Sequence, residues 1–181
     1  VAITTREHYG AVTQFLHWVT AILVLIAFVY GPGGSEQRVY SAAKDFDRQL
    51  HETLGLMVLA LVLVRLAWRS VDVSPGRPPL SAWMAYVSRF SHGLLYVLLL
   101  LVPLTAISGA WLEGHPLTLL GEVRLPPLLA EHHSLGSAIA EAHTWLGDTI
   151  LWVAGAHAVA ALYHHFVLRD RVLRSMLPGV R

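Results

Sequence analysis

The sequence predicts an all-α fold, an integral membrane four-helix bundle. Three observations predict it. Four apolar stretches are each about 17–25 residues long, enough for a helix to cross a bilayer. Hydrophobic residues make up 55% of the 181 and charged residues 14%, well under the charge of an ordinary soluble domain. Mean hydropathy is +0.53, so water is a poor solvent for much of the surface. Together these exclude a soluble globular enzyme and a disordered chain.

The first helix is expected over residues 14–31, ending at Gly31-Pro32-Gly33-Gly34. No small-residue cleavage site follows it, and His17-Trp18 would be odd inside a signal peptide. The second is expected over residues 50–69 and the third over 90–111. Pro103 lies inside the third, where neighbouring helices can satisfy the freed backbone. The fourth is expected over 143–168. The Pro-rich run Ser74-Pro75-Gly76-Arg77-Pro78-Pro79 connects helices two and three. The longest connector runs from Glu113 to Glu141, and its Ser134–Ala142 end is expected to form a short surface helix. No internal repeat or low-complexity tract appears, so residues 1–181 read as one domain.

Four spans put both termini on one side. Arg6, Arg65, Arg69, Arg77, Arg89, Arg169, Arg171, Arg174 and Arg181 fall on that side, against Arg38, Lys44, Arg48 and Arg124 on the other. Basic loops stay inside, so both termini are expected in the cytoplasm of a bacterial inner membrane. Trp18, Trp68, Trp83, Trp111 and Trp145 fall near the span ends, where amphipathic rings settle.

No cysteine is present. Iron–sulfur clusters, thiolate zinc sites, disulfides and cysteine nucleophiles are therefore excluded. A net charge of +1 gives no reason to expect nucleic acid. The unusual number is 11 histidines against a single lysine, Lys44. Histidine ligates metals and heme and carries protons.

Depth sorts the histidines. His17 belongs near the cytoplasmic end of helix one, and His51 and His143 at the outer ends of helices two and four. His157 follows His143 by fourteen residues, nearly four turns, so the two share a face about 21 Å apart in depth. Two pairs result: His51 with His143 outside, and His17 with His157 inside. Two imidazoles on opposing helices can hold one heme iron axially, so the chain is expected to bind two b-type hemes. One turn after each candidate the residue is small: Ala21, Gly55, Gly147 and Ala161. A macrocycle pressed on a helix needs that room, although small residues also mark plain helix contacts in membranes. His92 is followed one turn later by Tyr96, which would crowd a heme.

Arg65 follows His51 by fourteen residues and falls level with the inner pair. Two readings stand. It binds a heme propionate, or it snorkels to the headgroups; for Arg69, one turn nearer water, snorkelling is the reading. His164 and His165 lie too shallow to share a heme with His157. They either touch a quinone or solvate the helix end. His115, His132 and His133 fall in the outer connector, where histidines are mostly solvated.

In a set of motifs along nearly its whole length, the chain resembles the bacterial cytochrome b561 family. The residues are Leu16-His17-Trp18, His51 with Gly55, Val64-Arg65-Leu66 with Arg69, His92-Gly93, Leu94-Leu95-Tyr96, Pro103, Gly109, Gly114-His115-Pro116 and Gly121. The most specific run joins His143, Leu146-Gly147, His157-Ala158, Ala160-Ala161-Leu162, His164-His165-Phe166, Arg169-Asp170, Leu173 and Met176-Leu177-Pro178. The resemblance implies heme ligation by the same four histidines. It also implies an oxidoreductase of the superoxide oxidase type, taking electrons from periplasmic superoxide and passing them to ubiquinone, with no obligate protein partner. The wider superfamily supplies an alternative: a quinone-linked cytochrome b subunit of a periplasmic hydrogenase or formate dehydrogenase. A third reading, a scaffold or transporter whose histidines carry protons or metal, would show no heme absorption at all. The outer connector carries four glutamates and one arginine. Steering of an anion therefore rests on Arg38, Lys44, Arg48 and Arg124, with Lys44 and Arg48 nearest to His51.

Overall fold

The structure is a computed structural model and describes residues 8–72 and 81–179. Arg6, Arg77, Arg181 and the Pro-rich connector at 74–79 lie outside the described residues. Four long helices form the body: α1 (Ala11–Val29), α3 (Asp45–Val71), α4 (Ala82–Leu112) and α5 (His133–Tyr163), with a short helix, α2 (Glu36–Val39), and a 3-10 turn, Ala42–Lys44, between the first two. All four long helices are long and apolar enough to span a membrane.

Helix ends follow local chemistry. α1 stops where Pro32 cannot donate and where Gly33 and Gly34 take φ of 30° and 110°, values that side chains with a Cβ rarely tolerate. α3 opens with Asp45 and Asp47 in its first turn, favourable at the positive end of the helix dipole. Pro103 sits buried inside α4 without ending it. After Tyr163, α5 widens into a five-residue π-helical turn, His164–Leu168, which Arg169 closes with φ of 53°.

Three helices are longer than the hydropathy pattern predicts, α3 running over Asp45–Val71 rather than 50–69. α4 starts at Ala82 rather than at residue 90, and α5 starts at His133 rather than 143. The expected separate surface helix at Ser134–Ala142 is therefore the first part of α5. No proline interrupts this stretch, and Gly136 and Gly109 let α5 lie directly on α4. A Cβ on Gly136 would meet the Glu113 backbone nitrogen at 2.9 Å, and one on Gly109 would meet that of Ala140 at 3.2 Å. At 1.5 Å per residue, the 31 residues of α5 span about 46 Å, more than the hydrocarbon core alone.

The connector between α4 and α5 also holds a hairpin that hydropathy does not reveal. Strands β1 (Leu117–Leu119) and β2 (Val123–Leu125) pair antiparallel, turning through Gly121 and Glu122 at φ of 81° and 61°. The hairpin is docked on α3. The Thr118 amide donates to the Glu52 carboxylate, and the Leu120 amide donates to Thr53 Oγ1 at 2.9 Å.

The core is narrow. Val58, Val62, Leu98, Leu99 and Ile150 form its centre, flanked by Leu23, Val24, Leu94, Leu146 and Val153. Most other large apolar side chains point outward, among them Phe15, Leu25, Val29, Trp152, Val159 and Phe166. A bundle that is apolar outside as well as inside is a membrane protein. The first and last described segments of the chain meet on one side of it. Tyr9 N and Gln14 Nε2 donate to Ser175 O, and Trp18 Nε1 donates to Met176 O at 2.8 Å.

Candidate functional site

The histidines of α3 and α5 face each other at one end of the bundle. The ring centroids of His51 and His143 lie 5.9 Å apart at an interplanar angle of 79°. Each ring is held by a neighbouring helix. His51 Nδ1 donates to Ala27 O at 2.7 Å, and His143 Nδ1 donates to Val102 O at 2.8 Å. A carbonyl can only accept, so in the neutral ring the proton is on Nδ1 and the lone pair is on Nε2. Ala27 O is available because the Gly31 amide bonds Phe28 O instead, leaving one of the last carbonyls of α1 without a helical partner. Metal-binding histidines are oriented in this way.

Beside these rings lies a cavity with about 780 Å³ of empty space, counting its open mouth. His51, His143, Gly55, Gly147, Glu52 and Pro103 line it, and Leu117 of the hairpin reaches its wall. A Cβ on Gly55 or Gly147 would meet no atom within 4 Å, so both glycines open onto space that the protein leaves to something else.

His17 of α1 and His157 of α5 form the second pair, with centroids 6.4 Å apart at 71°. Two imidazole nitrogens bound at about 2 Å to opposite sides of one metal ion place the ring centres about 6 Å apart. Both pairs meet that requirement, and the residues present fit heme held between them. A third ring also reaches the inner pair. His92 lies 5.2 Å from His157, with its Nδ1 donating to Ser88 O at 2.6 Å. Sequence reasoning set it aside as a ligand because Tyr96 follows one turn later. Its ring faces His157 of α5, while Tyr96, one turn on, has Arg65 and Arg69 each 5.4 Å from its ring centre. Arg69, expected to reach for headgroups, is exposed and lies over this ring. Arg65 Nη2 donates to His17 Nδ1 at 3.2 Å.

Lys44 and Arg48 differ from the picture of two surface cations. Lys44 is paired with Asp47 at 2.7 Å and is partly exposed. Arg48 is buried, held by Asp45 and, at 3.1 Å, by Glu52; it also faces the Tyr40 ring at 5.2 Å. Its charge is neutralised where it stands, because the i+4 spacing of Arg48 and Glu52 brings them onto one helix face. At the other end, His164 Nδ1 is hydrogen-bonded to the Asp170 carboxylate across the π-helical turn. His165 Nδ1 is buried without a hydrogen-bond partner among the described residues. The two therefore have different environments despite being adjacent.

Fold and site define a class: a small four-helix membrane protein whose histidine rings meet in pairs at two levels. The family model of the prokaryotic cytochrome b561 proteins matches residues 8–179, and the chain belongs to this family of membrane electron-transfer proteins, whose cofactor is b-type heme. It is 27% identical to cytochrome b561 homolog 2 of Escherichia coli over 96% of this chain and 93% of the relative. It is 31% identical to cytochrome b562 of Cereibacter sphaeroides over 97% and 98%. It is also 26% identical to a Yersinia pestis protein named "probable superoxide oxidase CybB", over 97% and 99%.

Proposed function

We propose that the protein is a diheme cytochrome, a single four-helix unit of the bacterial inner membrane with both termini in the cytoplasm. It would carry electrons from periplasmic superoxide to ubiquinone. The observation that carries the reading is the outer histidine pair. His51 and His143 stand 5.9 Å apart, each with Nδ1 tied to a backbone carbonyl, beside a cavity that Gly55 and Gly147 leave open. His51 with His143 would hold one heme, and His17 with His157 the other. Heme, when bound, supplies reversible one-electron chemistry.

The protein's own residues do the rest. Ala27 O and Val102 O fix the tautomer and plane of the outer ligands. Leu99, Val102 and Ile150 give the cavity a largely apolar wall. Arg65, beside the inner pair, is positioned to balance a propionate. His164, backed by Asp170, would bond a quinone oxygen and pass it a proton, and His165 is its neighbour in sequence. The donor rests on the relative named as a probable superoxide oxidase and on the resemblance in sequence.

Stopped-flow mixing of quinone-loaded protein with a superoxide pulse tests the whole scheme. Rapid heme reduction followed by quinone-dependent reoxidation is expected. Heme that stays oxidised under superoxide, yet is reduced by a co-purifying iron–sulfur subunit, would replace it with the reading as a subunit of a periplasmic enzyme.

A further inference from the structure

The end of the bundle that holds His51 and His143 carries a second cluster, separate from both histidine pairs. Glu36, Glu113 and His115 converge there, their ligand atoms all within 4.8 Å of one another. They come from two distant parts of the chain: Glu36 from α2, and Glu113 and His115 from the end of α4.

The local fold builds the convergence. α4 ends in a Schellman-type turn: Gly114 takes φ of 81°, and the His115 amide donates back to Ala110 O at 2.9 Å. This reverses the chain and turns His115 back toward α2. The imidazole is then fixed in plane by Tyr40, stacked at 3.6 Å and 24°. Burial and the nearby Glu52 push the Tyr40 hydroxyl up, so the platform is a neutral phenol. Gly136 makes room for the Glu113 stem, which a Cβ there would meet at 2.7 Å. His115 Nε2 and Glu36 Oε1 lie 2.7 Å apart, and the Glu113 carboxyl completes the triangle. Its proton affinity is pushed up by burial and by the charge of Glu36. Two carboxylates facing one rigid imidazole repel each other, and a divalent cation relieves that repulsion.

We propose that Glu36, Glu113 and His115 bind a first-row divalent cation of the zinc type. One imidazole and two carboxylates match the nitrogen and oxygen preferences of such ions, and three protein ligands leave a position for water. A bound cation would take the place of the direct contact between His115 Nε2 and Glu36 Oε1. The ion would tie the α1–α3 connector to the α4–α5 connector, whose hairpin wall faces the cavity. The site does not depend on the identity of the electron donor or acceptor.

The test is Zn²⁺ titration of the full-length, heme-loaded protein in detergent against a chromophoric chelator, with X-ray absorption at the zinc edge. One zinc per chain is expected, with an oxygen and nitrogen shell containing a single imidazole. Glu36→Gln, Glu113→Gln and His115→Gln should each weaken binding by roughly tenfold or more. His133→Gln should leave it unchanged, because the neighbouring His133–Glu131 pair at 3.9 Å lies outside the cluster. The heme spectrum reports whether each variant folds. If the two variants at the α4 end do not fold, Glu36→Gln, on an exposed side chain, decides alone. No zinc bound below 100 µM, or binding that survives Glu36→Gln, overturns the proposal.

Discussion

The Arg65 guanidinium donates to His17 Nδ1 at 3.2 Å, whereas the Nδ1 atoms of His51 and His143 donate to backbone carbonyls. Arginine has no lone pair to offer, so neutral His17 carries its proton on Nε2, the tautomer opposite to that of the outer pair. Ligation through Nε2 requires that proton to leave and Arg65 to give up Nδ1. An arginine released at that depth needs an anion, and a heme propionate is one. Arg65→Met should therefore loosen the inner heme and leave the outer one in place. Heme per chain, measured as the pyridine hemochrome after detergent extraction, should fall toward one, with Arg65→Lys intermediate. Equal loss from both sites would break the link between Arg65 and the inner pair.

The assignment of the four ligands has a direct test. His143→Ala should remove about one heme and leave the His17/His157 site, because the two pairs share no side chain. His92→Ala is the control that matters. His92 lies nearer to His157 than His17 does, 5.2 against 6.4 Å, but the shorter distance leaves too little room for an ion bound at about 2 Å to both rings. Two hemes should remain in His92→Ala. Loss of one would make His92 a ligand in place of His17.

The open faces of Gly55 and Gly147 allow a substitution that spares the fold. No atom lies within 4 Å of a Cβ at either position, so Gly147→Phe is expected to project into the cavity. It should abolish the outer heme while the thermal unfolding midpoint of the heme-depleted protein stays within a few degrees of its parent. A stable variant that still binds two hemes would show that the cavity serves another purpose.

The spans and the approach of His51 to His143 and of His17 to His157 follow from sequence because hydropathy sets depth and a fourteen-residue spacing preserves helix face. What the sequence hid depends on close backbone approach. The early start of α5 rests on Gly136 and Gly109 admitting the facing helix, and neither residue differs in sequence from any other glycine. The hairpin at Leu117–Leu125 left a weak mark, an apolar alternation around Gly121 inside a connector read for its prolines. The backbone acceptors at Ala27 and Val102 carry no sequence signal. Arg48 looked like a surface cation because charge counting assigns it a side of the membrane but not a partner. Its ion pair with Glu52 could have been found from the i+4 spacing.

Topology is checked by reporter fusions. The hydrogen bonds from Tyr9 and Trp18 to Ser175 and Met176 put both described ends of the chain on one side, and the nine-to-four split of basic residues is the ground for proposing that this side is the cytoplasm. A C-terminal phosphatase fusion should be inactive and a fluorescent protein fusion bright. The reverse result would exchange the donor and acceptor sides.

The last prediction separates electron arrival from departure, and the structure decides which variants can do so. Arg48→Glu is a poor probe of steering, because it leaves buried charge beside Glu52 and Asp45. Breaking a buried pair costs about 3–5 kcal/mol, so reduced stability is the expected outcome. Lys44 is the usable cation: its pair with Asp47 is partly exposed and contributes about 1 kcal/mol at most. Lys44→Glu should slow heme reduction by superoxide severalfold at low salt, with the difference vanishing as ionic strength rises, and should not touch reduction by quinol. At the opposite end, Asp170→Asn removes the carboxylate that orients His164. It should slow quinone reduction about tenfold or more, shift the pH profile of that step, and leave the superoxide reaction alone. His164→Gln should act on the same step. If Lys44→Glu and Asp170→Asn slow the same half-reaction, donor and acceptor do not use opposite ends of the bundle.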